Sequence, residues 1–544
     1  MVTIKKLVIV LIGVTLIGSC STKEVSSDNS VSFKNCPLRV LDDIAPKSTI
    51  AASTPKLFER SRLVVIISDL HLGFGKDPQS EQWHTEEDFR WAAEFEAFLK
   101  EINRRGGGAT DLILNGDTFE IWQSLSNDCS YKNKNLGCTE SEALGRFRKV
   151  LSAHSRELIA LGKFANSGNN RIILTPGNHD SAILFPEVKK ILLLAIPAAE
   201  GRINIATEGY WLSKDQLIYV EHGHQIGRQV NCFSEWPAPF INEGGQQYLQ
   251  RPWGEQFVQQ YYNDYERRYP IIDNISSEQE GVRYGLAAEG PTGSAKGVSD
   301  FFKFLLFDVS WEQIKDFLGE KGEAPQWDVK RIREEIGDLF LVESLPKDDP
   351  FREAALIALK KNKLKLNLSD LSDDEIVTLC DKRAALKKMG KDIEECPRKD
   401  GKLGATVENL LRSRNVVFGE HLENTYKLLN LSKKAKTRFD VFIYGHTHRA
   451  DPGFRPLKGA WNPIVVNAGA WQRVVGPEQL ELIRNKEGLS KQDVLLKLKL
   501  EQLPPCYTLV MIEPYQKEPA PKLWYWRQDK NGRWILSEYY SWSP

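Results

Sequence analysis

The chain is 544 residues long, which exceeds the usual size of a single domain and predicts either two domains or one large domain with insertions. Hydrophobic residues make up 41% and aromatic residues 10% of the chain, as is normal for a protein with a folded core. Lysine plus arginine and aspartate plus glutamate both number 73, so the net charge is zero and bulk charge indicates no nucleic-acid partner.

The first twenty residues have the pattern of an export signal. Two lysines precede a short apolar stretch over residues 7–17, which is too short and one-sided for a typical membrane-spanning helix. The ending LIGSC resembles the lipobox of bacterial lipoproteins, and this implies lipidation of Cys20; an ordinary signal peptide is the alternative. We therefore expect residues 1–20 to be a signal and residues 21–60 a tether. The protein is expected to be exported and anchored to the cell envelope membrane through Cys20, in the outer membrane if the cell has one.

Strands and helices alternate over residues 61–230, which we interpret as the first part of a core domain. Apolar runs typical of strands end in SDLHLG, NGDTFE, PGNHDS and EHGHQ, and helices are predicted around residues 85–104 and 141–162. This alternation predicts an α/β sandwich. In such folds, functional groups collect on loops just beyond the strand ends.

The rest of the chain divides into three segments. Residues 231–437 read as mostly helical, with few strand-like runs, and we interpret them as an insertion that forms a cap or substrate subdomain. Residues 438–515 return to strands, in RFDVFIYGHTHRA and PIVVNAGAWQ, and form the second part of the core. Residues 516–544 carry alternating aromatic side chains around Asn531-Gly532, which predicts a β-hairpin at the edge of the core.

Eight cysteines occur in the sequence. In an exported protein, Cys129 with Cys138 and Cys380 with Cys396 are close enough in sequence to be candidates for disulfide bonds. Spacing alone leaves the pairing open, and none of the spacings resembles a zinc ribbon. The cysteines are therefore interpreted as structural.

Nine histidines occur, and six of them lie in short motifs directly after apolar strands. These motifs combine carboxylate, amide-oxygen and imidazole groups, which suit Mn, Fe or Zn better than a thiolate site or an all-oxygen calcium cage would. They contain enough ligands for two metal ions. Asp117 is the natural bridge between the ions, because it is the lone acid at the start of its loop.

The motifs D-x-H, G-D, G-N-H-D, H and G-H-x-H together resemble the calcineurin-like metallophosphoesterase superfamily, over residues 62–225 and 438–472. The resemblance implies a pair of packed β-sheets flanked by helices and two divalent or mixed-valence metal ions. It also implies hydrolysis of a phosphoester substrate by a hydroxide that bridges the ions. The implied ligands are Asp69, His71, Asp117 and His448 for the first ion, and Asp117, Asn178, His222 and His446 for the second.

The resemblance also implies catalytic roles for two residues beside the ligands. His179, next to Asn178, would donate a proton to the leaving group or stabilise the transition state. Asp180 would orient His179 by accepting its other ring proton. The family pattern favours His222, the residue directly after its strand, over His224 as a ligand, and His224 is expected behind the ligands or near the substrate.

The sequence GDTFEIW resembles more narrowly the branch that contains UDP-diacylglucosamine pyrophosphohydrolases, in which Phe119, Glu120 and Trp122 match. Those enzymes work on the cytoplasmic side and lack a large insertion, so the resemblance supports the chemistry and not that substrate. We therefore expect a phosphomonoesterase or phosphodiesterase. The alternatives are a pyrophosphohydrolase acting on nucleotide-like or lipid-linked substrates, and a non-catalytic metal-binding scaffold.

Overall fold

A computed structural model describes residues 60–77, 79–122, 129, 135–226, 231–252, 254–255, 258–259, 263–269, 271–275, 414–431, 438–490 and 493–539, together with isolated positions between 327 and 396. The predicted signal with Cys20, almost all of the predicted tether and most of the predicted insertion lie outside the described residues. Within the described ranges, no helix is both long and apolar enough to cross a membrane.

The described residues form fifteen strands and eight α-helices. The strands are β1 (Leu63–Ile67), β2 (Thr110–Asn115), β3 (Leu136–Thr139), β4 (Arg171–Thr175), β5 (Ile203–Ile205), β6 (Tyr210–Leu212), β7 (Ile218–Glu221), β8 (Phe240–Glu243), β9 (Gln246–Gln250), β10 (Val441–Tyr444), β11 (Asp451–Phe454), β12 (Ile464–Asn467), β13 (Cys506–Ile512), β14 (Pro521–Gln528) and β15 (Trp534–Glu538). The helices are α1 (Ala92–Arg105), α2 (Glu140–Ala153), α3 (Ser155–Ala165), α4 (Pro186–Ala195), α5 (Asn263–Arg268), α6 (Arg414–Leu431), α7 (Pro477–Lys486) and α8 (Val494–Lys497).

The larger sheet has seven strands in the order β15-β14-β13-β1-β2-β4-β5. Strands β1, β2, β4 and β5 are parallel neighbours, and β13 continues the sheet antiparallel to β1. The sequences LVVII of β1 and TDLILN of β2 are buried along their whole length. Continuous apolar strands of this kind are expected where a parallel sheet is covered on both faces.

A second sheet of five strands has the order β11-β12-β10-β7-β6, and its central strands β7, β10 and β12 are parallel. The two sheets pack face to face through aliphatic side chains. From the larger sheet these include Val64, Ile66 and Ile113, and from the smaller sheet Val220, Ile443 and Val466. A buried layer of aliphatic side chains therefore joins the two sheets.

Helices cover the outer faces of both sheets. Helix α1 packs Phe95 and Phe98 against Trp471, next to the larger sheet. Helix α6 packs Phe418 and Leu422 in one cluster with strands of the smaller sheet. The predicted α/β fold, with a large central sheet flanked by helices, is confirmed and is consistent with the metallophosphoesterase fold.

The first part of the predicted insertion differs from the expected helical character. Strands β8 and β9 form an antiparallel hairpin, which pairs with β3 in a third, three-stranded sheet. Helices α5 and α6, in contrast, lie within segments predicted to be helical. The aromatic hairpin around Asn531-Gly532 is present as β14 and β15, with β15 at the edge of the larger sheet.

Both candidate disulfides are formed. Cys129 and Cys138 are bonded with their Cα atoms 5.0 Å apart, and Cys380 and Cys396 with theirs 5.4 Å apart. Cys232 also takes part in a disulfide. The Cys129–Cys138 bond ties the segment that follows the GDTFEIW motif to β3, which contains Cys138.

Candidate metal centre

The predicted ligands lie in loops at the carboxyl ends of strands from both sheets. In the larger sheet these loops follow the parallel neighbours β1, β2 and β4. In the smaller sheet they follow β7 and β10, which are also parallel neighbours. The structure brings together predicted ligands from all five loops, namely Asp69, His71, Asp117, Asn178, His222, His446 and His448.

Most of these ligands have a backbone conformation that L-residues rarely adopt. Of the seven non-glycine residues with positive φ in the described part of the chain, five are predicted ligands. Their φ angles are 55° for Asp69, 50° for His71, 46° for Asp117, 69° for His446 and 54° for His448. Such residues cost free energy and persist where the surrounding structure enforces them, typically at functional sites.

Two glycines allow the loops to approach the ligand carboxylates closely. A Cβ atom on Gly177 would lie 2.1 Å from Asp117 Oδ1, and one on Gly445 would lie 2.7 Å from Asp69 Oδ2. A larger residue at Gly177 would displace the Asp117 carboxylate, and one at Gly445 would meet Ser68 Oγ at 2.0 Å as well as the Asp69 carboxylate. The glycines of the GNHD and GHTH motifs are therefore needed for packing against the site.

Asp69, His71 and His448 form the first ligand group, with one ligand atom of each within 4.8 Å of the others. Asp69 Oδ1 lies 3.3 Å from His448 Nε2 and 4.0 Å from His71 Nε2. His71 Nδ1 donates a hydrogen bond to Glu120 Oε2 at 2.9 Å, which fixes the ring and directs Nε2 towards the group.

Asp117, His222 and His446 form the second ligand group. His222 Nε2 lies 2.9 Å from Asp117 Oδ2 and 3.2 Å from Asn178 Oδ1, so the predicted amide ligand also belongs here. His222 Nδ1 donates to the backbone oxygen of Asn115 at 2.9 Å, again leaving Nε2 for the group. The two groups adjoin, because His222 Nε2 is also 4.0 Å from Asp69 Oδ1.

Two buried polar atoms that lack hydrogen-bond partners indicate that these residues can hold metal ions. Asp69 Oδ1 and His71 Nε2 are buried and have no hydrogen-bond partner among the described residues. Buried side-chain polar atoms are seldom left in this state without an ion or water to satisfy them. Imidazole and carboxylate donors together suit Mn, Fe or Zn. The residues present therefore fit divalent metal ions.

In the second group, a proton on His222 balances the charge of Asp117, and a metal ion can replace this proton. Burial raises the pKa of Asp117, but His222 and His179 outweigh burial and hold this pKa well below its ordinary value. Burial lowers the pKa of His222, but Asp117 and Asp69 raise it to about 10. Burial and the nearby His222 lower the pKa of His446 to about 3, so its imidazole is neutral and keeps a lone pair.

His179 lies beside both groups, with its ring held from two sides. Its backbone N–H donates to Asp117 Oδ1 at 2.8 Å, and its Nδ1 donates to Glu120 Oε2 at 2.5 Å. The indole of Trp122 stacks on the imidazole, with 4.1 Å between ring centroids. Burial lowers the pKa of His179, but Glu120 and then Asp117 outweigh it and raise the pKa to about 9.

The expectation that Asp180 orients His179 is wrong, because the partner of the His179 ring is Glu120. Asp180 Oδ1 accepts the backbone N–H of Gly177 at 2.7 Å, and Oδ2 accepts that of Thr118 at 2.8 Å. The Asp180 side chain therefore faces away from the imidazole and ties the loop after β4 to the loop after β2. Burial and the charge of Asp117 raise the pKa of Asp180 to about 7.

Two further side chains surround the second group. His224 is buried edge-on against Trp236, with ring centroids 4.3 Å apart, and lies 5.5 Å from the ring of His222. Asn231 donates from Nδ2 to His446 Nε2 at 3.2 Å. Sequence reasoning expects His224 behind the ligands or near the substrate, and it misses Asn231, which no motif marks.

Comparison with protein families bears directly on this site. Residues 62–313 match the calcineurin-like phosphoesterase family. The matched range is somewhat less than half of the chain; it includes the loops after β1, β2, β4 and β7 and ends before the GHTH motif. A search of curated proteins finds no relative that matches. The family match and the clustered ligand groups support a metal-dependent phosphoester hydrolase of the metallophosphoesterase superfamily in general.

Proposed function

We propose that the protein hydrolyses phosphoester bonds with two metal ions, the first held by Asp69, His71 and His448 and the second by Asp117, Asn178, His222 and His446. Asp117 would bridge the two ions. The observation that carries the proposal is the pair of adjoining ligand groups, with buried atoms that lack any other partner. Mn, Fe and Zn all suit the donor set.

In this proposal the residues around the ions position the substrate and move one proton. Metal ions bound here supply Lewis-acid polarisation of the phosphoryl oxygens and a water acidic enough to attack phosphorus. The attacking water gives up one proton to solvent as its oxygen bonds to phosphorus, the bond from phosphorus to the leaving oxygen breaks, and the leaving oxygen takes up a proton. His179 is the group placed to give this proton, because its Nδ1 is bonded to Glu120 and its Nε2 remains to act.

The same chemistry can act on three classes of substrate. A monoester and a diester both fit the ligand groups and the position of His179. A pyrophosphate linkage in a nucleotide-like or lipid-linked substrate is the remaining candidate, since GDTFEIW resembles the pyrophosphohydrolase branch. A non-catalytic scaffold is disfavoured because all seven ligand positions keep residues that bind metal.

We also propose that the protein is exported and held at the cell envelope membrane through a lipidated Cys20. The disulfides Cys129–Cys138 and Cys380–Cys396 support export, because such bonds persist in oxidising compartments. Metabolic labelling with a palmitate analogue in a bacterial host tests the anchor. A labelled wild-type chain and an unlabelled Cys20→Ala chain would support it, whereas equal labelling of both would contradict it.

The first experiment on function measures metal content and turnover together. The purified wild-type chain, Asp117→Asn, and the matched control Asp529→Asn in the β14–β15 turn are loaded with Mn²⁺ or Zn²⁺. Metal stoichiometry is determined, and a chromogenic phosphomonoester, a phosphodiester and a nucleotide pyrophosphate are assayed side by side. We expect two metal ions per wild-type chain, and loss of at least one ion and about 10³-fold or more of the activity in Asp117→Asn.

The control separates loss of the centre from loss of the fold. Asp529→Asn makes the same chemical change far from the ligands and should retain both metal and turnover. Wild-type turnover in Asp117→Asn would refute the assigned centre. Two bound metal ions without turnover on any of the three substrate classes would favour the scaffold.

A further inference from the structure

The GDTFEIW motif places two side chains on the His179 ring. Glu120 Oε2 accepts the hydrogen bond from Nδ1, and the indole of Trp122 lies on one face of the imidazole, with 4.1 Å between ring centroids and 27° between ring planes. The ring of His71 lies at 73° to the same imidazole, with the centroids 4.7 Å apart. A hydrogen bond fixes one atom of a ring, whereas a stacked neighbour also fixes its plane.

Trp122 is almost fully buried, whereas His179 is partly open to solvent. Trp122 is 2% exposed, and the side chain of His179 is 18% exposed. A side chain with so little accessible surface makes no extended contact with a substrate in this conformation. An effect of Trp122 on the chemistry therefore passes through the imidazole on which it stacks.

The backbone that carries the indole is held from two sides. The Trp122 N–H donates to Glu120 Oε1 at 2.6 Å, so the same carboxylate binds both the ring of His179 and the backbone of its stacking partner. Arg146 of α2 donates from Nη1 to the Ile121 oxygen at 3.1 Å. Gln259 donates from Nε2 to the Trp122 oxygen at 3.2 Å. Arg146 belongs to the core and Gln259 to the predicted insertion.

Gln259 is itself held by neighbouring side chains of the insertion. Its Oε1 accepts a hydrogen bond from Arg251 Nη2 at 2.7 Å, and its Nε2 also donates to Glu255 Oε1 at 3.1 Å. Because a guanidinium only donates and a carboxylate accepts, these partners determine which way the amide faces. The amide N–H groups therefore point to Glu255 and to the Trp122 oxygen. Arg251 is 8% and Glu255 is 2% exposed, so the contact is made in the interior.

We infer that Trp122 is a positioning residue for His179 and that Gln259 connects it to the insertion. The inference rests on the proposed function, in which Nε2 of His179 gives the proton to the leaving oxygen. With Nδ1 held by Glu120 and the ring plane set by Trp122, the direction of Nε2 is fixed. A misplacement of a reacting group by about 1 Å can cost about 10²-fold in rate, so a loosened ring loses catalysis without loss of metal.

A purely structural role for Trp122 makes a different prediction. Loss of packing alone lowers the fraction of folded protein and slows all substrates by the same factor. Loss of positioning instead slows most the substrates with poor leaving groups, because these need the proton most. The dependence of kcat/KM on the pKa of the leaving group therefore separates the two roles.

The test compares variants of the full chain loaded with Zn²⁺. Trp122→Leu removes the stacking face, Trp122→Phe keeps one, and Gln259→Met removes the hydrogen bond to the Trp122 oxygen at similar side-chain size. The control Gln247→Met makes the same change at an exposed position of β9, also within the predicted insertion. All four variants should bind as much metal as the wild type, which metal analysis checks.

The dependence on the leaving-group pKa should be steeper in Trp122→Leu and Gln259→Met, whereas Trp122→Phe and Gln247→Met should match the wild type. For Trp122→Leu we expect kcat/KM to fall about tenfold or more with the poorest leaving group and at most about twofold with the best. The wild-type dependence in Trp122→Leu would overturn the role of Trp122, and in Gln259→Met it would overturn the link to the insertion. If Trp122→Leu fails to fold, Gln259→Met compared with Gln247→Met decides the inference.

A second readout does not depend on turnover. Protons over the face of an aromatic ring resonate upfield, so in protein made with isotopically labelled histidine the His179 ring signal should be shifted upfield by Trp122. The signal is identified by its absence in His179→Gln. Trp122→Leu should remove the upfield shift and Gln259→Met should reduce it, and unchanged signals in both would overturn the inference. An absence of turnover in the wild type would refute the proposed function, and the His179 signal would then still decide whether Trp122 holds the ring.

Discussion

The substitution Glu120→Gln tests how the proposed proton donor is held. Glu120 Oε2 accepts hydrogen bonds from Nδ1 of His71 at 2.9 Å and from Nδ1 of His179 at 2.5 Å. Burial raises the pKa of Glu120, but His179 outweighs burial and lowers it to about 2, so the side chain is charged at neutral pH. Glutamine keeps the shape of the side chain and removes the charge.

The expected loss follows from the two hydrogen bonds. A bond to a charged group contributes about 1.5–3 kcal/mol, against about 0.5–1.5 kcal/mol for a neutral one. Removing the charge from Glu120 therefore costs about 1–1.5 kcal/mol in each bond, or about 2–3 kcal/mol in total. Because each 1.4 kcal/mol is a factor of ten, kcat/KM should fall by about 30- to 150-fold. Part of this loss should appear as weaker binding of the metal ion held by His71.

The assay compares kcat/KM for a series of phosphoesters that differ in the pKa of the leaving group. Glu120→Gln and His179→Ala should both make the rate depend more steeply on this pKa, because poor leaving groups need the proton most. Asp180→Asn should destabilise the loops but keep the wild-type slope, since Asp180 accepts only backbone N–H groups in the contacts described above. A wild-type slope in Glu120→Gln, together with a steeper slope in Asp180→Asn, would refute the assignment.

Two further predictions concern packing and pH. Gly177→Ala should fold but lose most bound metal, because the new Cβ would meet Asp117 Oδ1. The control Gly145→Ala, in α2 and with open space around it, should keep the metal. Metal analysis of both variants checks this prediction. Burial lowers the pKa of His154, but Glu87 outweighs burial and raises it to about 10, above the unfolded value of about 6.5. The resulting stabilisation is complete below about pH 6.5 and is lost as the pH rises towards 10, by at most about 1.4 kcal/mol per pH unit. Urea unfolding of wild type and His154→Gln across this range should show the steeper decline only in wild type.

The strands that carry the site could be predicted because buried parallel strands are continuous apolar runs. The run LVVII before Asp69 and the run VFIY before His446 both end where polar residues begin, and both are strands in the structure. Parallel neighbours present their carboxyl ends at one edge, so the residues that follow must meet. Within each sheet this rule gathers the predicted ligands, but it does not determine how the two sheets pack together or how each side chain is oriented.

The partner of His179 shows where sequence reasoning failed. Asp180 is adjacent in sequence and has the right chemistry, yet its side chain turns back to the Thr118 N–H. Glu120 reaches the ring from another strand-end loop, at a sequence separation of 59 residues. Adjacent residues in a tight loop point in different directions, so contact between them depends on backbone angles that composition does not reveal.

The hairpin at the start of the predicted insertion was missed although its turn is visible in the sequence. Gly244 and Gly245 both have positive φ and connect β8 to β9. A Gly-Gly pair between two short runs is a known hairpin signal. The helical composition of the longer segment averages over this local exception and so predicts helix where the hairpin lies.

The connection of the insertion to the site limits how its role can be tested. It leaves the core just after His222 and returns just before β10 and His446, although β7 and β10 are hydrogen-bonded neighbours. Near its end, His421 of α6 places Nε2 2.6 Å from Glu221 Oε1, directly beside His222. Deleting the insertion would therefore remove a buried partner of the strand that positions a ligand. Loss of activity in such a deletion would not separate substrate choice from metal binding, whereas substitutions of insertion side chains that leave metal stoichiometry unchanged would.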